Sequence, residues 1–115
     1  MTIAIIGTPY PEHFSKYIQH LIKKLEAEHI NLIIEEKFNI FLEKKIRFNK
    51  SFSTFNSYET LKNKADFLLS IGGDGTLLKA TTYVLESEIP IMGINTGRLG
   101  FRSSISAYQT DDAIT

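Results

Sequence analysis

Gly72-Gly73-Asp74-Gly75-Thr76 sets one carboxylate inside a run of glycines, directly after the apolar stretch Phe67-Leu68-Leu69-Ser70-Ile71. Glycines let a backbone approach a ligand closely, and a helix that follows them offers free N–H groups and a positive dipole end to an anion. A carboxylate on such a loop can accept a proton from a hydroxyl during phosphoryl transfer. Asp74 can equally cap a helix beginning at Gly75, bonding the amide of Thr76 or Leu77, and the loop alone leaves both roles open. Two common phosphate signatures are excluded. The pattern G-x-x-x-x-G-K-[ST] is absent, and Gly73-Asp74-Gly75-Thr76-Leu77-Leu78 carries leucine where G-x-G-x-x-G needs its third glycine. Lys79 lies i+3 from Thr76 and i+4 from Gly75, and helical side chains lean towards the N-terminus. Its ammonium can therefore reach back to the loop where phosphate oxygens would sit; a solvated surface lysine is the plainer alternative.

A second glycine-rich stretch, Asn95-Thr96-Gly97-Arg98-Leu99-Gly100-Phe101, closes the apolar run Pro90-Ile91-Met92-Gly93-Ile94. In an open parallel sheet, ligands bind at the carboxyl ends of the strands, where strand order reverses. The two loops therefore read as parts of one phosphate or nucleotide crevice. The three histidines, His13, His20 and His29, fall in or beside one helical segment, His13 and His20 at i, i+7, a spacing that argues against a metal site there. With no cysteine in the chain, a disulfide framework, a thiolate nucleophile and a cysteine-based zinc site are all excluded.

These residues need elements to hold them. Ile3-Ala4-Ile5-Ile6, closed by Gly7, reads as a strand buried on both faces. Apolar residues at Phe14, Tyr17, Ile18, Leu21, Ile22 and Leu25 form the stripe of an amphipathic helix, preceded by Pro9, Pro11 and Glu12. Leu32-Ile33-Ile34 is a second strand core, so the opening is a βαβ unit with parallel pairing. The spacing predicts strands near 3–6, 32–35, 67–71 and 91–94. It also predicts a helix from about Gly75 to Leu85 with Leu77, Leu78, Thr81, Val84 and Leu85 on its inner face. Phe38 to Phe48 reads as a short helix or irregular segment, with Glu43-Lys44-Lys45 on a solvated face; Ser51 to Ser57 reads as a loop and Tyr58 to Leu61 as one helical turn. The fold class is α/β, a Rossmann-like, mostly parallel sheet flanked by helices.

At 115 residues the chain fits one domain, and its 43% hydrophobic and 23% charged composition excludes disorder. Thirteen basic residues balance thirteen acidic ones, so bulk charge gives no argument for nucleic acid or membrane partners. The start lacks a basic n-region, and no run approaches the roughly 20 apolar residues of a bilayer span. A soluble, cytoplasmic protein is expected. Thr110-Asp111-Asp112 reads as the start of a helix whose body would lie beyond Thr115, so a longer natural protein is expected too.

The two glycine-rich motifs together resemble those of the bacterial NAD kinase family. The first is shared with diacylglycerol kinases, sphingosine kinases and 6-phosphofructokinases, but the Asn-Thr-Gly-Arg-Leu-Gly-Phe stretch is the NAD kinase form. A lipid kinase would show a Gly-Thr-x-Asn-Asp type sequence there. The resemblance covers residues 1–115 as an N-terminal nucleotide-binding domain, with a β-rich C-terminal domain and an Asn-Glu/Asp motif expected beyond them. It implies phosphate transfer from ATP, or polyphosphate in some relatives, to the 2′-hydroxyl of the adenosine ribose of NAD. It implies Asp74 as the proton acceptor, Asp74, Gly75 and Lys79 as NAD contacts, and Gly72, Gly73 and Thr76 as the phosphate loop for ATP. Phe101 matches a position near the adenine, where a ring could pack on the base; ordinary core packing is its alternative. Arg102 stands where the family usually has an apolar or aromatic residue. Mg2+ is implied, held mainly by substrate phosphates and water rather than by a protein cage, and the full-length family members are dimers or tetramers. The alternatives are a lipid kinase of the same superfamily or a nucleotide-binding fragment without catalysis.

Overall fold

Runs of β-branched and leucine residues with no polar alternation can satisfy both faces only in a sheet covered on both sides, and that is the architecture of the computed structural model. It describes residues 1–61, 64–84 and 89–96, and only the backbone of residues 58, 60, 74 and 83. The chain runs β1 (Thr2–Gly7), a 3-10 turn (Glu12–Phe14), α1 (Ser15–Ala27), β2 (Asn31–Glu35), α2 (Glu36–Leu42), β3 (Ser53–Phe55), α3 (Tyr58–Leu61), β4 (Phe67–Gly72), α4 (Asp74–Val84) and β5 (Ile91–Asn95). The five strands pair in the order β3-β2-β1-β4-β5, every pair parallel. The register aligns Ile5 with Ile34 on one side of β1 and with Leu69 on the other.

Alternate side chains of each strand feed two separate cores. Ile3 and Ile5, Leu32 and Ile34, Leu69 and Ile71 pack beneath Ile18, Leu21, Ile22 and Leu25 of α1 and Phe38 and Leu42 of α2. Ala4, Ile6, Ile33 and Leu68 face the other way, against Leu61 of α3 and Ala80 and Val84 of α4. This partition follows from chirality. Parallel crossovers are right-handed, so helices must change face when the chain stops adding strands on the β2 side of β1 and starts adding them on the β4 side. α1 ends in a Schellman turn: the Ile30 amide donates to the Leu25 carbonyl at 3.1 Å and the His29 amide to the Glu26 carbonyl at 3.1 Å. His29 takes the left-handed conformation that this turn requires, at φ 61°.

Two expectations need correction. Ser53–Phe55 is an edge strand rather than loop, paired through Ile33↔Ser53, Ile34↔Thr54 and Glu35↔Phe55. Only Phe55 of the three is buried, so an outward-facing Ser-Thr pair satisfies the strand while reading as turn composition. The inner face of α4 is Thr76, Ala80 and Val84, an i, i+4, i+8 row of small or β-branched residues that lets the helix lie close on the sheet. Leu77 and Leu78, expected inside, are 41% and 70% exposed, and Thr81 is also exposed. Leu85 lies outside the described residues. Among the described residues no helix is long and apolar enough to cross a membrane.

Candidate functional site

Strand order reverses between β1 and β4, because β2 lies on one side of β1 and β4 on the other. The carboxyl ends of these two strands, where an open parallel sheet binds its ligands, carry Gly7-Thr8 and the Gly72–Thr76 loop. Backbone bonds lace the exits together. The Thr8 amide donates to the Ile71 carbonyl at 3.0 Å, and the Thr96 amide donates to the Gly72 carbonyl at 3.1 Å. Asn95 and Thr96, the first two residues of the second glycine-rich stretch, thus lie beside the first, with Asn95 in register with Gly72.

Each glycine of the loop has its own reason. Gly72 sits at φ 153°, and a Cβ there would stand 2.6 Å from Thr8 Oγ1 and closer still to Thr76 Oγ1. Those two hydroxyls lie 3.1 Å apart, so they close over Gly72 as a lid on the strand exit. Gly72 is a packing requirement. Gly73 and Gly75 are not: among the described residues a Cβ at either would meet nothing within 4 Å. No described atom fills the space over them, which lies at the N-terminus of α4, where backbone N–H groups and the helix dipole favour an anion.

α4 begins at Asp74, one residue before the expected start. The Gly73 carbonyl accepts the amides of Thr76 at 3.1 Å and Leu77 at 3.2 Å, so Gly73 occupies the position from which a side chain would cap the helix. Asp74 stands inside the first turn instead, which takes the simplest capping role from it.

Lys79 extends from the second turn of α4 to the end of β2. Its Nζ lies 2.9 Å from Oε2 of Glu35, the last residue of that strand. The carboxylate side chain is 3% exposed and the lysine side chain 43%. A buried carboxylate needs such a partner, since desolvation penalises an uncompensated charge. Glu35 and Thr8 were not among the sequence-derived site residues. The available signals were positional: each closes or follows a strand core at its carboxyl end. Phe101, Arg98, Arg102 and the expected turn at Thr110 lie outside the described residues. Among the described residues no group of three or more His, Asp or Glu side chains is arranged to hold a metal ion; His13, His20 and His29 are all exposed.

Residues 3–115 match the family model described as the ATP-NAD kinase N-terminal domain. The chain belongs to this family. Its curated relatives include the NAD kinase of Christiangramia forsetii, 38% identical over 114 residues, which cover 99% of this chain and 39% of that protein. The NAD kinase of Flavobacterium psychrophilum is 41% identical over 105 residues, or 91% of this chain and 36% of the relative. The NAD kinase of Bacteroides fragilis is 38% identical over 117 residues, again 99% of this chain and 39% of the relative. The chain spans about two fifths of the length of the relatives it matches. The Rossmann-like α/β architecture expected from the sequence is the one observed, and it is that of an ATP-NAD kinase N-terminal domain.

Proposed function

We propose that the chain supplies the nucleotide-binding domain of an NAD kinase, which transfers the γ-phosphate of ATP to the 2′-hydroxyl of the adenosine ribose of NAD. One observation carries the reading: no described atom lies within 4 Å of a Cβ built on Gly73 or Gly75, at the N-terminus of α4 and at the point where strand order reverses. Gly72, Gly73 and Thr76 form the loop that receives the phosphates of ATP, through first-turn amides other than those of Thr76 and Leu77, which the Gly73 carbonyl holds. Asp74, on the same turn, accepts the proton of the 2′-hydroxyl as its oxygen bonds to phosphorus and ADP leaves. Asp74, Gly75 and Lys79 contact NAD, and Phe101 packs on the adenine. Mg2+ would be held mainly by the triphosphate oxygens and water, where it would supply neutralisation of charge in the phosphoryl transfer.

The reading extends to a β-rich C-terminal domain that completes the NAD site, to a homo-oligomer and to the cytoplasm. The experiment is NADP formation from ATP and NAD by the full-length gene product, beside calorimetric titration with NAD. NADP formation is the expected result. Binding without turnover would reduce the reading to a nucleotide-binding module. Phosphorylation of diacylglycerol or a sphingoid base without NADP formation would overturn it in favour of a lipid kinase.

A further inference from the structure

We infer that Glu35 is a positioning residue, which holds the Lys79 ammonium at the carboxyl edge of the sheet for the anionic part of NAD; this rests on the proposed contact between Lys79 and NAD. The ion pair is asymmetric. Glu35 Oε2 is 2.9 Å from Lys79 Nζ, but the glutamate side chain is 3% exposed and the lysine side chain 43%. A clasp whose only task was to join β2 to α4 would have no reason to bury the acid and present the base. The acid is anchored by the sheet: it ends a strand paired on both sides, Glu35 itself being in register with Phe55 of β3. The presented ammonium opens onto a cavity of about 190 Å³, lined by Glu35, Glu36, Lys37, Asn56 and Lys79.

An ammonium has three donors, and a single carboxylate oxygen at 2.9 Å engages one of them, leaving donors for a ligand. Two effects of Glu35 then oppose each other. Its charge offsets part of the attraction between Lys79 and an anion, while its grip removes rotamer freedom that the lysine would otherwise lose on binding. A lysine side chain is among the most entropically expensive to order. The buried and immobile partner makes the second effect the larger one, so removal of the carboxylate weakens NAD binding even though it frees a positive charge.

The test uses the full-length gene product and steady-state kinetics at saturating ATP with three variants: Glu35→Gln, Lys79→Met and the double variant. Glu35→Gln is expected to raise the KM for NAD about tenfold, with kcat within about threefold. Lys79→Met is expected to raise KM at least as much, and the double variant to be no worse than Lys79→Met, because the two residues act as one unit. A purely structural clasp would move melting temperature and leave KM untouched. Glu35→Gln with a KM at or below wild type, while Lys79→Met raises it, overturns the role of Glu35. Additive effects in the double variant overturn it as well. Wild-type KM in Lys79→Met removes the lysine contact itself, and the inference with it. The double variant, which buries no unpaired carboxylate, keeps the comparison usable if Lys79→Met alone folds poorly.

Discussion

Replacing Gly75 by alanine should stabilise the protein and disable it. Gly75 is the second residue of the helix Asp74–Val84, and among the described residues a Cβ there meets no atom within 4 Å. None of the described residues resists the methyl group. Alanine is the better helix former and has less freedom to lose on folding, which together contribute about 0.5–1 kcal/mol. For a domain of this size that raises the melting temperature by roughly 2–8 °C. The space over Gly75 is, in the proposed mechanism, where the nucleotide lies against the backbone. A methyl group there displaces the reacting atoms by the order of 1 Å, and misplacement on that scale costs about a hundredfold in rate. The assay is thermal unfolding beside kcat/KM for NADP formation by the full-length gene product. Gly72→Ala is the contrasting control. Its Cβ would stand 2.6 Å from Thr8 Oγ1, at a backbone φ of 153° that alanine resists. Steric overlap and backbone strain together cost about 2–5 kcal/mol and lower the melting point by more than about 10 °C. A Gly75→Ala variant with kcat/KM within about threefold of wild type would refute the reasoning, because the space would then be one that no substrate uses.

The face assignment of α4 predicts that Ala80→Leu, which forces volume against the sheet, destabilises by about 1–3 kcal/mol, as read from chemical denaturation. Leu78→Gln, at a position 70% exposed, should stay within about 0.5 kcal/mol of wild type in the same measurement. His29→Gly should stabilise by about 0.5–1 kcal/mol, since the left-handed turn at φ 61° strains an L-residue more than it penalises glycine's extra freedom. A lower melting point for His29→Gly would mean that the contact of 3.4 Å between Lys50 Nζ and His29 Nδ1 outweighs the strain.

What could be read in advance follows from where each signal resides. β1 and β4 are near-continuous apolar runs, with Ser70 the polar residue inside β4, because a parallel sheet buries both of their faces, and α1 carries a complete stripe because one face meets the sheet and the other meets water. Ser53–Phe55 was illegible because three residues at a sheet edge with one buried ring carry no period. Along α4, apolarity pointed to Leu77 and Leu78, whereas close approach to the sheet selects the small row Thr76, Ala80 and Val84. The glycine-aspartate loop was visible as a motif, since the chemistry there depends on consecutive backbone positions. Glu35 was not, because its partner Lys79 comes from an element distant in the chain, and only the sheet order brings the two together.

The central claim is that Asp74 takes the proton of the ribose hydroxyl, and Asp74→Asn tests it most directly. The amide keeps the size of the side chain, and Gly73 already holds the capping position, so folding should change little. A general base contributes about 10²–10⁴-fold, so kcat for NADP formation should fall by that factor, while calorimetry finds NAD affinity within a few-fold of wild type. An Asp74→Asn enzyme that turns over at the wild-type rate would contradict the account.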